Sequence, residues 1–166
     1  MGMSSHQSPK MKSDVWLTPP DILLRLGTFD LDPCSPSVRP WPTATRHISL
    51  PEDGLSALWH GRVWMNPPFG TEAAKWMQKM AKHNNGIALI PARTETRMFM
   101  QHVWPVADSV LFIEGRPHFH YADGSRAPFN SGAPICLVSY GEHNTARLLK
   151  SGLGPVVKVV RQEDFC

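Results

Sequence analysis

The chain has 166 residues, of which 42% are hydrophobic and 19% are charged, with a formal net charge of +3 at pH 7. This length and composition favour one folded domain and exclude a chain that is disordered throughout. No stretch approaches the roughly 18 consecutive apolar residues of a membrane span, and we expect neither membrane insertion nor secretion.

Residues 1–13 are polar and show no periodicity, so we interpret them as a flexible lead-in to a single domain over residues 14–166. The three cysteines, Cys34, Cys136 and Cys166, form no Cys-x-x-Cys pair. This spacing excludes a zinc ribbon and a thioredoxin-like motif, and it favours free thiols in the reducing cytoplasm.

The first half of the chain predicts short elements between rigid turns. The segment Thr18-Pro19-Pro20-Asp21 is typical of a helix start, with threonine as the cap and proline in the first turn, and Gly27 ends that helix. Short strands are predicted over residues 29–32 and 47–50, and residues 55–59 predict a short turn of helix.

The second half shows stronger periodicity. A strand over residues 62–65 leads into Asn66-Pro67-Pro68-Phe69, and residues 71–83 give the clearest amphipathic helix. The remaining predicted elements are a buried strand over 87–90, a helix over 94–103, and strands over 110–113, 135–139 and 156–160. Alternating helices and apolar strands predict an α/β fold with a mainly parallel sheet flanked by helices.

The segment Asn66-Pro67-Pro68-Phe69 carries the clearest chemistry. It follows a strand and precedes a helix, which puts it at the carboxyl edge of the sheet, where open α/β sheets bind ligands. The Asn66 side-chain oxygen and the Pro67 carbonyl would make two acceptors for one NH2 group, and Phe69 offers a ring for stacking. Taken alone, the four residues fit a tight turn equally well.

Several other polar residues have a plain structural interpretation. Asp30 and Asp32 fit a solvated strand end, and Thr18 fits a helix cap. His118 and His120 could hold a metal together with Cys136, but they lack a tight second pair, so we expect no metal.

Six segments together resemble, in order, the phage-type Dam family of DNA adenine-N6 methyltransferases. They are residues 16–19 (WLTP), 29–34 (FDLDPC), 53–55 (DGL) with Trp59, 61–69 (GRVWMNPPF), 89–96 (LIPARTET) and 115–119 (GRPHF), spread over about residues 14–140. The resemblance implies a minimal class I, Rossmann-like methyltransferase with no separate target-recognition domain.

The resemblance also implies an activity. S-adenosylmethionine would donate a methyl group directly to N6 of an adenine flipped out of double-stranded DNA. The implied catalytic residues are Asn66, Pro67, Pro68 and Phe69. No metal and no covalent cysteine intermediate are needed for this transfer.

Further site residues follow from the same resemblance. Those implied to bind the cofactor are Trp16, Thr18, Pro19, Asp30, Asp32, Pro33, Cys34 and Asp53. Those implied to bind DNA are Arg93, Thr94, Thr96 and Arg116. One departure is that the loop after the first strand lacks the usual glycines, which let the backbone approach a ligand closely.

The expected setting is the cytoplasm of a bacterium or a phage-infected cell, where such an enzyme would protect DNA from restriction. We expect DNA as the partner and no membrane, and a monomer is compatible with the sequence. Two alternatives stay open: the same fold methylating an RNA base or a protein glutamine amide, and a DNA-binding module without catalysis.

Overall fold

The computed structural model describes residues 15–165, so the expected lead-in over residues 1–13 and Cys166 lie outside the described part. The described part contains seven β-strands and four α-helices, followed by a short 3-10 helix at Gln162–Phe165. In chain order they are α1 (Pro20–Leu26), β1 (Leu31–Asp32), β2 (Arg46–His47), β3 (Val63–Met65), α2 (Ala73–His83), β4 (Gly86–Pro91), α3 (Arg97–His102), β5 (Ser109–Phe112), β6 (Ile135–Tyr140), α4 (Glu142–Ser151) and β7 (Val156–Lys158).

All seven strands belong to one sheet with the order β2-β1-β3-β4-β6-β5-β7. The first four strands are mutually parallel, whereas β6 is antiparallel to both β4 and β5, and β7 is antiparallel to β5. Strands β1 to β5 therefore point the same way. The predicted α/β fold is confirmed, with an antiparallel pairing pattern added at one side.

The strand order contains a switch point beside β1. The chain leaves β1 for β2 on one side and then returns to β3 on the other side. At such a reversal the two loops diverge from the carboxyl ends of neighbouring strands and leave a crevice between them. The topology therefore directs attention to the residues that follow β1 and β3.

The core has two halves, one on each face of the sheet. Ala88 and Ile90 of β4 face the half that includes α2 and α3, whereas Ile87 and Leu89 face the half that includes α1 and α4. Because both faces are covered, β4 and β6 are buried over almost their whole length and read as continuous apolar runs.

The strongly periodic predictions are confirmed. The helix predicted over residues 71–83 is α2, and it buries the expected apolar residues on one side. Those residues are Ala73, Trp76, Met77 and Met80. The shorter predictions are less accurate, because β1 and β2 have two residues each and β2 overlaps its predicted range only at His47.

Two local predictions are wrong. Residues 55–59 form no helix, because the Gly54, Leu55 and Ala57 carbonyls accept hydrogen bonds from the side chains of Trp59 and Lys79. Thr18 does not cap α1, whose capping residue is Pro19 without a side-chain hydrogen bond.

Helix α4 is an element that the sequence pattern did not predict. Its buried positions include Asn144, Thr145 and Ser151, with Leu148 as the apolar exception. Polar residues at core-facing positions remove the apolar periodicity that would have indicated a helix. The bounding glycines, Gly141 and Gly152, were the remaining signal.

Arg62 is buried where α1, β1, β3 and α4 meet. Its guanidinium donates to the Leu26 carbonyl (2.8 Å), the Thr28 carbonyl (2.7 Å) and the Asn144 side-chain oxygen (2.6 Å). It also lies 4.1 Å from the centre of the Phe29 ring. One side chain thus satisfies the end of α1 and joins it to α4 on the same face of the sheet.

We expect Arg62→Met to lower the free energy of unfolding by about 3 kcal/mol, since it leaves two buried acceptors, the Leu26 carbonyl and Asn144 Oδ1, without this donor. The matched control is Arg46→Met, because Arg46 makes an exposed ion pair with Glu52 (2.8 Å) and its loss should cost under about 1 kcal/mol. Urea unfolding followed by tryptophan fluorescence measures both. Equal destabilisation by the two variants would contradict this role of Arg62.

Candidate active site

A cavity of about 660 Å³ occupies the crevice at the carboxyl ends of β1 and β3. Its volume lies in the range of small-molecule binding sites. Four segments contribute walls, namely residues 15–18, 32–36, 52–54 and 66–69. The predicted site residues that line it are Trp16, Thr18, Asp32, Pro33, Cys34, Asp53, Asn66, Pro67, Pro68 and Phe69.

Two residues predicted to bind the cofactor lie outside this cavity. Pro19 precedes α1 as its capping residue. Asp30 precedes β1 at the opposite edge of the sheet, where its carboxylate accepts a hydrogen bond from the Arg62 backbone N–H at 2.6 Å. That contact supports the pairing of β1 with β3, so the structure gives Asp30 a structural contact and Asp32 a place in the cavity.

Asn66 is held in one orientation by its amide hydrogens. Its Nδ2 donates to the Trp16 carbonyl (3.2 Å) and to the Thr18 hydroxyl (3.3 Å). Because a carbonyl only accepts, Nδ2 must face the segment 15–18 and Oδ1 must face away from it. Among the described residues Oδ1 has no hydrogen-bond partner, which leaves it available as an acceptor.

The residues after Asn66 add a second acceptor and an aromatic ring. Pro67 is buried and Pro68 is exposed, and neither has a backbone N–H, so both contribute carbonyl acceptors but no backbone donor. Phe69 lines the cavity and is 45% exposed. The turn therefore brings an amide, carbonyl groups and an aromatic ring to the cavity wall.

Asp32 is a buried acid in the wall of the cavity, with 3% of its surface exposed. Its carboxylate accepts hydrogen bonds from the Thr43 hydroxyl and from the Cys34 backbone N–H (3.2 Å). Burial is the largest influence and raises the pKa of Asp32 to about 6, against the lowering effect of these hydrogen bonds and of Arg39. Such a group favours a cationic ligand, which would offset the cost of burying its charge.

Cys34 is oriented as a donor and not as a nucleophile. Its Sγ donates to the Asn66 carbonyl at 3.4 Å. Burial, followed by the charge of Asp32, raises the pKa of the thiol well above its usual range. Since the thiolate is the reactive form, this environment keeps Cys34 unreactive.

The loop after β1 lacks glycine, but the neighbouring loop contains Gly54 at the point where the two backbones approach each other. A Cβ on Gly54 would lie 1.8 Å from the Pro33 carbonyl oxygen, so only glycine allows the two loops to meet there. This close approach brings Asp53 to the cavity. Hydrogen bonds from Ser56 and Leu55 hold the pKa of Asp53 below its usual value.

Other wall residues were not identified from the sequence. They are Arg39, Trp41, Thr43, Glu52, Gly54 and Trp76, among others. The proline-rich connection between β1 and β2 contains Arg39, Trp41 and Thr43. No sequence motif marks these residues, and only the fold shows that they line the cavity. Trp76 was predicted as core, and it is both core and cavity wall.

The four residues predicted to bind DNA lie outside the cavity lining. Arg93 follows β4 and Arg116 follows β5, so both lie at the same sheet edge as the cavity, and both are exposed. The Thr96 hydroxyl donates to the Arg93 carbonyl (2.8 Å), and the Thr94 carbonyl accepts from the Trp104 indole (2.9 Å). These contacts fix the loop before α3.

The two candidate metal-binding histidines have protein partners. His118 Nδ1 lies 3.0 Å from the Ala127 carbonyl, and His120 Nδ1 lies 2.9 Å from the Gly124 carbonyl. Within residues 15–165, no group of three or more His, Cys, Asp or Glu side chains could hold a metal ion. In the same part of the chain, no helix has the length and apolar character needed to cross a bilayer.

The α/β sheet, the cavity at its switch point and the Asn-Pro-Pro-Phe turn in its wall together define a Rossmann-like fold compatible with methyl transfer. A family model described as DNA N-6-adenine-methyltransferase (Dam) matches residues 5–147, so the chain belongs to the Dam family and is a DNA adenine-N6 methyltransferase. No curated protein and no solved structure matches the chain.

Thr18→Val tests the orientation of Asn66, because valine keeps the shape and removes one acceptor of the amide. We expect DNA methylation to fall roughly 10-fold, as for the loss of one hydrogen bond. The loss should lie in kcat, with Thr18→Ser close to the parent. A rise in the KM for the methyl donor alone would instead identify Thr18 as a ligand contact, and an unchanged kcat would contradict the positioning role.

Asp32→Asn tests the buried acid through stability. Because the folded-state pKa is raised from 3.8 to about 6, the unfolded chain loses its proton first, and the parent should lose stability as pH rises from about 4 to 6. The fall attributable to Asp32 is about 3 kcal/mol. Chemical denaturation of both proteins at several pH values measures it, and parallel pH profiles for parent and variant would contradict the raised pKa.

Proposed function

We propose that the cavity binds S-adenosylmethionine and that the enzyme transfers its methyl group to N6 of an adenine that has left the DNA duplex. The observation that carries the proposal is the orientation of Asn66. Its amide hydrogens are committed to Trp16 and Thr18, and Oδ1, in the cavity wall, has no hydrogen-bond partner among residues 15–165.

The two acceptors address the main difficulty of the reaction. The lone pair of adenine N6 is delocalised into the ring, so the amine is a poor nucleophile. Hydrogen bonds from its two N–H groups to Asn66 Oδ1 and the Pro67 carbonyl would favour tetrahedral character and aim the lone pair at the methyl group. After transfer the amine loses one proton, which passes to water because neither amide oxygen is basic enough to keep it.

The cavity fits the proposed methyl donor in size and in chemistry. S-adenosylmethionine supplies an electrophilic methyl group on a positively charged sulfur. Asp32 and Asp53 would bind its cationic and hydroxyl groups, while Trp16, Trp76 and Pro33 provide apolar walls for its flat and aliphatic parts. Cys34 would keep the Asn66 backbone in place beside it.

Base flipping follows from where the acceptors lie. Asn66 is only partly exposed and lines a cavity, so a base inside a stacked duplex could not reach it. Phe69, at the rim, would stack on the adenine ring after it leaves the duplex. We therefore assign Phe69 to the acceptor base and not to the methyl donor.

Double-stranded DNA would contact the sheet edge that carries the cavity. Arg93 and Arg116 are exposed there and would bind phosphates. Thr94 and Thr96 would hold the loop between β4 and α3 that carries Arg93. In a single domain over residues 14–166, sequence preference would come from the loops 35–47 and 115–132. Such an enzyme would act in the cytoplasm and protect DNA from restriction.

The test is transfer of labelled methyl from S-adenosylmethionine to unmethylated duplex DNA, followed by digestion to nucleosides. We expect labelled N6-methyladenine from the parent and at least roughly 100-fold less from Asn66→Ala, as for the loss of one preorganised hydrogen-bonding group. Binding of S-adenosylmethionine, measured by calorimetry, should persist in the variant.

The matched control is Gln78→Ala, which removes an exposed amide from α2 outside this cavity and should leave transfer unchanged. RNA and protein acceptors run beside the DNA. Label in those acceptors but not in DNA, or full activity in Asn66→Ala, would overturn the proposal.

A further inference from the structure

The connection between β5 and β6 projects beyond the sheet edge that carries the cavity. Its two ends are joined by the hydrogen bond from the Ile113 N–H to the Ile135 carbonyl (3.1 Å). It is anchored on the cavity wall by a pair of hydrogen bonds between Leu17 and His120 (2.8 and 2.9 Å) and by the contact of the Trp41 ring with the His120 ring. This connection therefore lies beside the opening through which a base would enter.

Within it, residues 128–130 form a fixed bulge. The Ala127 N–H donates to the Phe119 carbonyl on one side, and the Ser131 N–H donates to the Pro117 carbonyl on the other, both at 2.9 Å. Between these two hydrogen bonds, three residues on one strand of the loop face the single residue His118 on the other. Pro128 restricts the backbone directly before Phe129.

Phe129 stands on this bulge with 73% of its surface exposed. Single exposed apolar residues are common on protein surfaces and need no explanation by themselves. Phe129 differs in where it lies and in its neighbours. It is presented from a hydrogen-bonded loop at the DNA-facing edge, between the exposed cations Arg116 and Arg126.

Hydrogen bonds connect Arg116 to the bulge. Arg116 Nη1 donates to the Gly132 carbonyl (2.9 Å), and the Asn130 side-chain oxygen accepts from the Gly132 N–H (3.1 Å). The nearby acid Asp123 is engaged by Ser125 through its backbone N–H and its hydroxyl. The surroundings of Phe129 therefore combine an apolar ring with positive charge.

We propose that Phe129 inserts into the DNA base stack and occupies the gap left by the flipped adenine, while Arg116 and Arg126 bind the flanking phosphates. The inference rests on the proposed function. Apolar side chains are known to wedge between base steps, and an aromatic ring stacks on any base without sequence preference. A rigid tip loses little conformational entropy on insertion, which makes the wedge effective.

The experiment compares the parent with Phe129→Ala and Phe129→Trp. The methylated sequence is first mapped on unmethylated plasmid DNA, and a synthetic duplex then carries 2-aminopurine at the target adenine. We expect the parent to raise the 2-aminopurine fluorescence, Phe129→Ala to lose most of that rise, and Phe129→Trp to keep it. Methylation by Phe129→Ala should fall roughly 5- to 150-fold, the range for removing one aromatic–base stack.

Two controls separate a wedge from a surface contact. Phe165→Ala removes a ring that is 81% exposed and lies past β7 at the opposite sheet edge, so it should leave fluorescence and methylation unchanged. A duplex with an abasic site opposite the target lowers the cost of flipping, so it should restore much of the activity of Phe129→Ala.

The outcomes separate this inference from the proposed function. A parent that methylates DNA and raises the fluorescence, beside a Phe129→Ala variant that does the same, would overturn the wedge and leave the function standing. If Phe129→Ala loses as much activity on the abasic duplex as on the fully paired duplex, the wedge is also overturned. A parent that neither methylates DNA nor raises the fluorescence would overturn both.

Discussion

The amide group of Asn66 joins two segments of the cavity wall. Its two hydrogen bonds connect the turn after β3 to Trp16 and Thr18. The same segment, residues 15–18, forms a wall of the cavity and pairs through Leu17 with the long β5–β6 connection. One short stretch of chain therefore lines the cavity, orients the Asn66 side chain and anchors the β5–β6 connection. A displacement of this stretch would affect all three.

Burial gives the acid and the thiol in the cavity different chemical characters. Asp32 keeps two hydrogen-bond donors, so burial raises its pKa only to about 6 and its charge stays accessible near neutral pH. Cys34 sits beside that charge and donates to the Asn66 carbonyl, so its thiolate is disfavoured and its sulfur serves as a support. The cavity thus combines an acid that favours a cationic ligand with a thiol that is not nucleophilic.

The sequence predicted those features that depend on local periodicity and missed those that depend on strand order. The apolar patterns predicted helix α2 and strand β4. The turn at Asn66 was predicted from its position between strand β3 and helix α2. Asp30 and Asp32 look equivalent in sequence. In the structure Asp30 precedes the two-residue strand β1, whereas Asp32 is its last residue, and only the carboxyl end of β1 meets the cavity. The hydrogen bond of Thr18 was not predictable either, because its partner lies 48 residues away.

The close approach at Gly54 explains how a first loop without glycine can still border a ligand. In the common arrangement, glycines let the loop backbone approach the ligand directly. Here the first loop contains Pro33, and the facing loop places Gly54 against the Pro33 carbonyl, where any side chain would collide with it. The missing Cβ of Gly54 therefore gives the close backbone approach that glycines of the first loop provide in the common arrangement.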